Sequence, residues 1–187
     1  MLKKITIAVD AMGGDNSPEK VINGICLYSK NTQNIFYKIF GDSEKIKEII
    51  PKSLPKSSFE IIHTKNEVKG TDSALSAAKR GKETSMWLAI DSVKNKESDI
   101  IISAGNTGAL FIIAKLNLKM IENIDKPALS GLWPNKNGTN IVLDLGANVE
   151  CNEKNLIDFS LMGSALFKAL FPDQNPKVAL LNIGSEE

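Results

Sequence analysis

Two stretches of this chain carry residues suited to holding an oxygen-rich anion. In Ser103-Ala104-Gly105-Asn106-Thr107-Gly108, two hydroxyls and an amide surround two glycines, just ahead of the apolar Ala109 and Leu110. A glycine turn leading from a strand into a helix presents unpaired backbone N–H groups at the positive end of the helix dipole. That makes it a phosphate cradle, to which Ser103, Asn106 and Thr107 add neutral donors. The same spacing suits a plain strand-to-helix turn capped by Asn or Thr, and spacing alone leaves both readings open. In Asp10-Ala11-Met12-Gly13-Gly14-Asp15, two carboxylates flank a glycine pair able to adopt positive φ. They suit a hydrated Mg²⁺, the orientation of a donor, or the capping of backbone N–H groups, and capping is the simplest of the three.

A third stretch, Asp144-Leu145-Gly146-Ala147-Asn148, repeats the pattern of a carboxylate, a glycine and an amide. Neither Asp144 nor Asn148 is a good nucleophile. The only histidine, His63, reads as a solvated residue in a polar loop. No Ser-His or Cys-His pair is convincing, which disfavours covalent acyl-enzyme chemistry. Cys26 reads as a small buried helix residue, and Cys151 follows a glycine loop where it is a candidate for the edge of a site. Two cysteines without short-spaced partners do not make a zinc site or a disulfide scaffold. Neither a Walker A loop nor a G-x-G-x-x-G fingerprint is present. Amides, hydroxyls and helix N-termini suit a substrate that brings its own nucleophile, such as inorganic phosphate. The protein then positions it beside an electrophile and stabilises the developing oxyanion.

The elements that must position these residues follow from the apolar pattern. Four apolar runs end in small, glycine-bearing turns: ITIAVD-AMGGD, DIIIS-AGNTGAL, NIVLD-LGAN and VALLN-IGSEE. Strands are expected at 5–9, 35–40, 59–62, 99–103, 128–133, 139–143 and 177–182. Helices are expected from Pro18, with Ser17 as cap, to about Lys30; from Asp42 or Ser43 to Ile50; from Thr71 or Asp72 to Lys79; from Thr84 or Ser85 to Lys94; over 106–118; and over 155–170. The last is apolar on most faces and reads as deeply buried. Alternating strands and helices imply βαβ units, a mostly parallel sheet and a three-layer α/β/α fold in a single domain over 1–187. The joint Pro134-Asn135-Lys136-Asn137-Gly138 implies a local antiparallel pair within that sheet. Ligands of such folds bind outside the carboxyl ends of the strands. Four turns on one edge would gather Asp10, Gly13, Gly14, Asp15, Ser103, Asn106, Thr107, Asp144, Asn148 and Asn182 around one cleft.

With 187 residues, 42% of them hydrophobic, and a net charge of +1, the chain suits an ordinary globular domain and carries no global field directed at nucleic acid. The apolar start ends at Asp10, too soon for a signal peptide, and no run is long enough to span a bilayer. The expected location is cytoplasmic, with peripheral membrane contact open. A strand and glycine turn should lead on into a helix, yet Glu187 follows almost at once. The chain therefore reads as one cut in mid-architecture.

DAMGGD followed by Pro18, SAGNTGAL, VLDLGANVEC and ALLNIGSEE together resemble the bacterial phosphate acyltransferases of phospholipid synthesis, the PlsX family. TSMWLAIDSVK and KPAL fit the same likeness. It covers essentially all of this chain and about the first half of a family member. The resemblance implies a fold similar to isocitrate and isopropylmalate dehydrogenases, truncated at its C-terminus. It implies transfer of a fatty acyl group from acyl carrier protein to inorganic phosphate, and an acyl phosphate that a glycerol-3-phosphate acyltransferase consumes. It also implies a homodimer loosely attached to membrane, with no nicotinamide cofactor and no obligatory metal. Carried over by motif, Asp10, Gly13, Gly14 and Asp15 would line the cleft. Ser103, Gly105, Asn106, Thr107 and Gly108 would bind phosphate or the thioester, and Asp144, Gly146 and Asn148 would complete the wall. Asp10, Asp15, Asn106 and Asp144 stand as the catalytic candidates. Arg80 and Lys82 would meet the acidic carrier protein, although a solvated basic loop explains both as well. Two other readings remain. One is an inactive remnant or half of a split enzyme; the other is a dehydrogenase-like nucleotide-binding enzyme, which the missing fingerprint disfavours.

Overall fold

The computed structural model describes residues 4–32 and 34–182. Contacts group the chain into two compact units, Met1–Lys119 and Met120–Glu187.

The first unit is built on four parallel strands: β1 (Ile5–Asp10), β2 (Ile35–Gly41), β3 (Phe59–His63) and β4 (Ile100–Ser103), in the order β3-β2-β1-β4. β1 is central and apolar at successive positions because both of its faces are covered. On one face, Ile7 and Val9 pack with Ile22 and Ile25 of α1 (Glu19–Ser29) and Ile46 of α2 (Ser43–Ile49). On the other, Ala8 and Phe40 pack with Ala89 of α4 (Ser85–Lys94). A further layer of contacts joins Met86 and Ile90 of α4 to Ala77 of α3 (Ala74–Lys79) and to Ala109 and Ile113 of α5 (Thr107–Asn117). This is the helix–sheet–helix layering expected from the alternation of elements.

Local chemistry sets the helix starts. Asp42, Ser73, Thr84 and Asn106 each accept a first-turn backbone N–H and cap α2, α3, α4 and α5. Two expected caps are corrected. Ser17 does not cap α1, because its hydroxyl donates back to the Gly13 carbonyl at 2.6 Å. Neither Thr71 nor Asp72 caps α3. Asp72 instead accepts the Lys69 backbone N–H at 2.7 Å and both arms of Arg80, which moves the helix start to Ser73. His63 ends β3 rather than lying in the following loop, and its Nδ1 meets the Ser43 hydroxyl at 2.9 Å.

The second unit contains the hairpin β5 (Ser130–Asn135) and β6 (Gly138–Leu143), with α6 (Glu153–Leu170). The antiparallel pair was expected inside the parallel sheet. Instead the two strands pair only with each other, as a separate two-stranded sheet. Asn152 and Asn155 form a reciprocal capping box that starts α6 two residues earlier than its apolar pattern suggests. The helix is not deeply buried. Phe159 is buried, while Ile157 and Leu161 are exposed, because β6 packs against only part of the helix surface. The strand expected at 177–182 does not form. No strand is present over 177–182, and Val178, Leu180 and Leu181 are exposed. An apolar run supplies strand propensity, but a strand also needs a neighbour to satisfy its backbone. No helix among the described residues is long and apolar enough to cross a membrane.

Candidate functional site

Parallel pairing of β1 with β4 sets Asp10 opposite Ser103, so the turns that follow the two strands meet at one sheet edge. They interlock through their glycines. A Cβ on Gly13 would lie 2.6 Å from Asp10 Oδ2, 2.9 Å from the Gly105 nitrogen and 2.9 Å from Ser103 Oγ. Gly14 has φ +88° and its Cα faces the Ala104 carbonyl so closely that any side chain would collide with it. A Cβ on Gly105 would in turn stand 3.2 Å from the Gly13 Cα.

At the floor of this junction lies Asp10, only 1% exposed. Its Oδ1 accepts the Ser85 hydroxyl at 2.6 Å and the Met12 N–H at 3.3 Å, and its Oδ2 accepts the Ser103 hydroxyl at 2.7 Å. Burial pushes the Asp10 carboxyl above its ordinary range, and the donors from Ser85, Ser103 and the backbone only partly counter it. Ser103 Oγ also accepts the Gly105 N–H at 3.1 Å. The carboxylate is therefore a hub that fixes three chain segments: the β1 turn, the β4 turn and the start of α4. Of the three roles open to it in the sequence, orienting hydroxyl donors and backbone is the one its contacts display. Ser85 was read from sequence only as a helix cap. Its bond to Asp10 spans 75 positions, and no local signal announces it.

Asn106 is more heavily engaged than a ligand-facing amide. Its Oδ1 caps α5 at the Ala109 N–H, 2.9 Å away. Its Nδ2 donates to the carbonyls of Gly70 at 3.0 Å and Asp72 at 2.9 Å. Arg80 holds the same loop by a two-armed ion pair to Asp72, at 2.7 and 2.6 Å. The Lys69 backbone N–H, and after it the Arg80 guanidinium, keep the Asp72 carboxyl below its usual range. Arg80 thus has a structural partner, whereas Lys82 is exposed. α5 meets α3 at Gly108, where a Cβ would make ordinary contact with Ala74 Cβ at 3.4 Å. Thr107 and Gly108 are exposed at the first turn of α5, where their N–H groups lack intrahelical acceptors. Asp15 is exposed in the β1 turn.

Asp144, Gly146 and Asn148 belong to the second unit and form a network of their own. Asp144 (φ +61°) accepts the Asn148 backbone N–H at 3.2 Å and the Asn148 side-chain amide at 2.9 Å on Oδ1. Asn148 Nδ2 also donates to the Pro127 carbonyl at 2.9 Å, and Gly146 (φ +82°) turns the chain between them. Cys151 Sγ donates to Asp144 Oδ2 at 3.3 Å. Desolvation, then the hydrogen bond and charge of Asp144, raise the Cys151 thiol above its ordinary range. Of the four glycine-bearing turns, the structure therefore unites the first two. The third is a self-contained loop, and the turn after Asn182 lies outside the described residues.

Comparison with known proteins adds an independent finding. A family model described as fatty acid synthesis protein matches residues 5–187. All of this chain aligns with the phosphate acyltransferase of Pelagibacter ubique (strain HTCC1062), at 72% identity over 187 residues, covering 56% of that protein. The phosphate acyltransferase of Parvibaculum lavamentivorans is 45% identical over 190 residues, with 52% of its length covered. That of Bradyrhizobium diazoefficiens is 42% identical over 189 residues, with 54% covered. The chain spans about half the length of the curated relatives it matches.

Proposed function

The chain belongs to the fatty acid synthesis protein family, and from that premise we propose that its interlocked glycine turns bind inorganic phosphate for acyl transfer. In this reading the protein is a phosphate acyltransferase, and a phosphate oxygen attacks a fatty acyl thioester to give acyl phosphate and a free thiol. The observation that supports it best is the packing of Gly13 and Gly14 against Ala104 and Gly105 at the N-terminus of α5. That packing brings the two turns together beside the exposed Thr107 and Gly108 at the first turn of α5, where the N–H groups are the donors assigned to the anion. The nucleophile comes from the substrate, in keeping with the Ser85 and Ser103 hydroxyls being held by Asp10. Gly13, Gly14 and Gly105 shape the cradle. Asp10 and Asn106 are positioning residues, because their polar atoms hold Ser85, Ser103 and the 70–72 loop. Asp15, exposed at the same turn, is assigned to orienting the incoming donor. The names of the relatives support phosphate and an acyl group as the reactants.

The acyl donor proposed is acyl carrier protein, with a homodimer as the working form, peripheral membrane contact, and a glycerol-3-phosphate acyltransferase as consumer of the product. Titration calorimetry of the 187-residue chain with orthophosphate is the direct test. Saturable binding that Gly14→Val abolishes is expected, because that position has no space for a side chain. No heat of binding, or unaltered binding by the variant, would remove the cradle from the proposal. Turnover is then read by trapping acyl phosphate with hydroxylamine, using acyl carrier protein substrate with and without phosphate. Hydroxamate formed without phosphate would contradict the assigned nucleophile.

A further inference from the structure

A half-open groove of about 460 Å³ lies between α1 and the β1–β4 side of the sheet, reaching the interlocked turns at Asp10 and Ala104. Its walls are apolar: Ile7, Val9 and Tyr37 from the sheet and Val21, Ile25 and Tyr28 from α1. Ala104 and Asp10 close the end nearest the phosphate cradle, so the cavity and the cradle share two residues of the same turns. Lys20 stands at that end as well. Its Nζ lies 3.3 Å from where a Gly14 Cβ would be, and it has no ion-pair partner among the described residues. From Lys20 to Tyr28 the lining follows α1 for eight residues, about 12 Å at the helix rise. The volume falls in the range of small-molecule sites, about 300–1,000 Å³.

We propose that this cavity is the seat of the fatty acyl chain, with its reacting carbonyl end at the Lys20–Ala104 rim. The inference rests on the phosphate acyltransferase reading and gives that reading an acyl subsite. The physical argument is complementarity at both ends. A long apolar slot suits a methylene chain, and burying each methylene is favourable. An unpaired ammonium at the mouth suits the oxygen-rich head, whether thioester carbonyl or acyl phosphate. Both Asp10 oxygens already accept hydrogen bonds from Ser85, Ser103 and Met12, which leaves Lys20 as the charged side chain at that rim to meet the head. Ile102 lines the open side at β4, where it is 52% exposed, so a chain lying there would cover it.

Gly24 makes the idea testable. It lines the cavity from α1, and a Cβ built on it meets nothing within 4 Å. Gly24→Leu therefore projects into the slot, while Gly24→Ala adds one methyl group and leaves most of it open. Binding of dansyl-undecanoate to the native chain is read by fluorescence, with displacement by dodecanoate. Native binding, near-native binding by Gly24→Ala and a loss of roughly tenfold or more in Gly24→Leu are expected, the equivalent of about two displaced methylenes. Equal binding by native and Gly24→Leu, or no binding by the native chain, overturns the proposal. A second copy of the chain in the slot is revealed by a native dimer that Gly24→Leu dissociates while the probe does not bind, and this too overturns it. A diazirine-bearing fatty acid, photolysed on the native chain, gives a check that needs no variant. Adducts should map to residues 20–28 and 102–104 of the lining, and adducts confined elsewhere overturn the assignment. Orthophosphate calorimetry is run in parallel. Chain binding without phosphate binding would refute the phosphate cradle and leave the apolar slot standing, so the two readings fail separately.

Discussion

Replacing Gly13 by alanine asks whether the two turns are as tightly locked as the structure shows. Gly13 is outside the left-handed region, so the substitution carries no backbone penalty and its whole cost is spatial. The new methyl would meet Asp10 Oδ2 at 2.6 Å, the Gly105 nitrogen at 2.9 Å and Ser103 Oγ at 2.9 Å. None of the three atoms is the loose end of a flexible side chain. Asp10 is pinned by Ser85 and Ser103, and Gly105 is backbone. Overpacking of this kind costs about 1–3 kcal/mol. If the carboxylate swings away to make room, the Ser103–Asp10 bond is lost as well, and a hydrogen bond to a charged group contributes about 1.5–3 kcal/mol. The expected destabilisation is therefore about 1–3 kcal/mol if the carboxylate holds its place and about 2.5–6 kcal/mol if it swings away. Urea unfolding followed by circular dichroism gives the number, and the slope should stay at the native value while the midpoint falls. Gly24→Ala is the internal contrast. The same methyl enters open space on a helix and should stabilise the chain by about 0.5–1 kcal/mol. A Gly13→Ala protein as stable as the native chain, with phosphate binding intact, would refute the interlock and the cradle drawn from it.

Three further outcomes are expected. Burial raises the Asp10 carboxyl above 3.8, so in the window from that value up to its raised folded value the native state keeps a proton that the unfolded chain has released. Stability contributed there falls as pH rises; urea midpoints from about pH 4 to about pH 7 should show the native chain losing ground to Asp10→Asn as pH increases, and parallel curves would contradict it. Asn106→Ala removes the α5 cap and the ties to Gly70 and Asp72, and thermal unfolding should record a loss of about 1–2 kcal/mol, whereas Asn106→Asp keeps the capping oxygen but sets a carboxylate oxygen against the Gly70 and Asp72 carbonyls and should lose at least as much. Asp144→Asn takes away a charge that holds the Cys151 thiol in its protonated form, so alkylation of Cys151 by iodoacetamide at mildly alkaline pH, followed by mass spectrometry, should speed up.

Most of the first unit is legible in local residue patterns. β1 and β2 are short apolar runs at the centre of the sheet and β3 and β4 shorter ones at its edges, and such runs declare themselves without reference to distant residues. The caps of α4 and α5 were legible to within a residue, as Thr84 or Ser85 and as Asn106 or Thr107, because a cap is a local bargain between a side chain and the next turn of backbone; the structure selects Thr84 and Asn106. The glycine turns were visible as motifs for the same reason. Relations between segments far apart in the chain are fixed only by packing. Asp10 meets Ser85 and Ser103 across 75 and 93 positions, and that pairing turns two turns into one site. Asn106 reads as a free donor until the 70–72 carbonyls arrive to use it. The run 177–182 and the apolar faces of α6 carry strong local signals, yet strand pairing and burial depend on a neighbour that the local pattern does not name. Propensity and periodicity are properties of a few consecutive residues. A site is a property of contacts, and contacts are settled only when the sheet fixes which strand ends lie side by side.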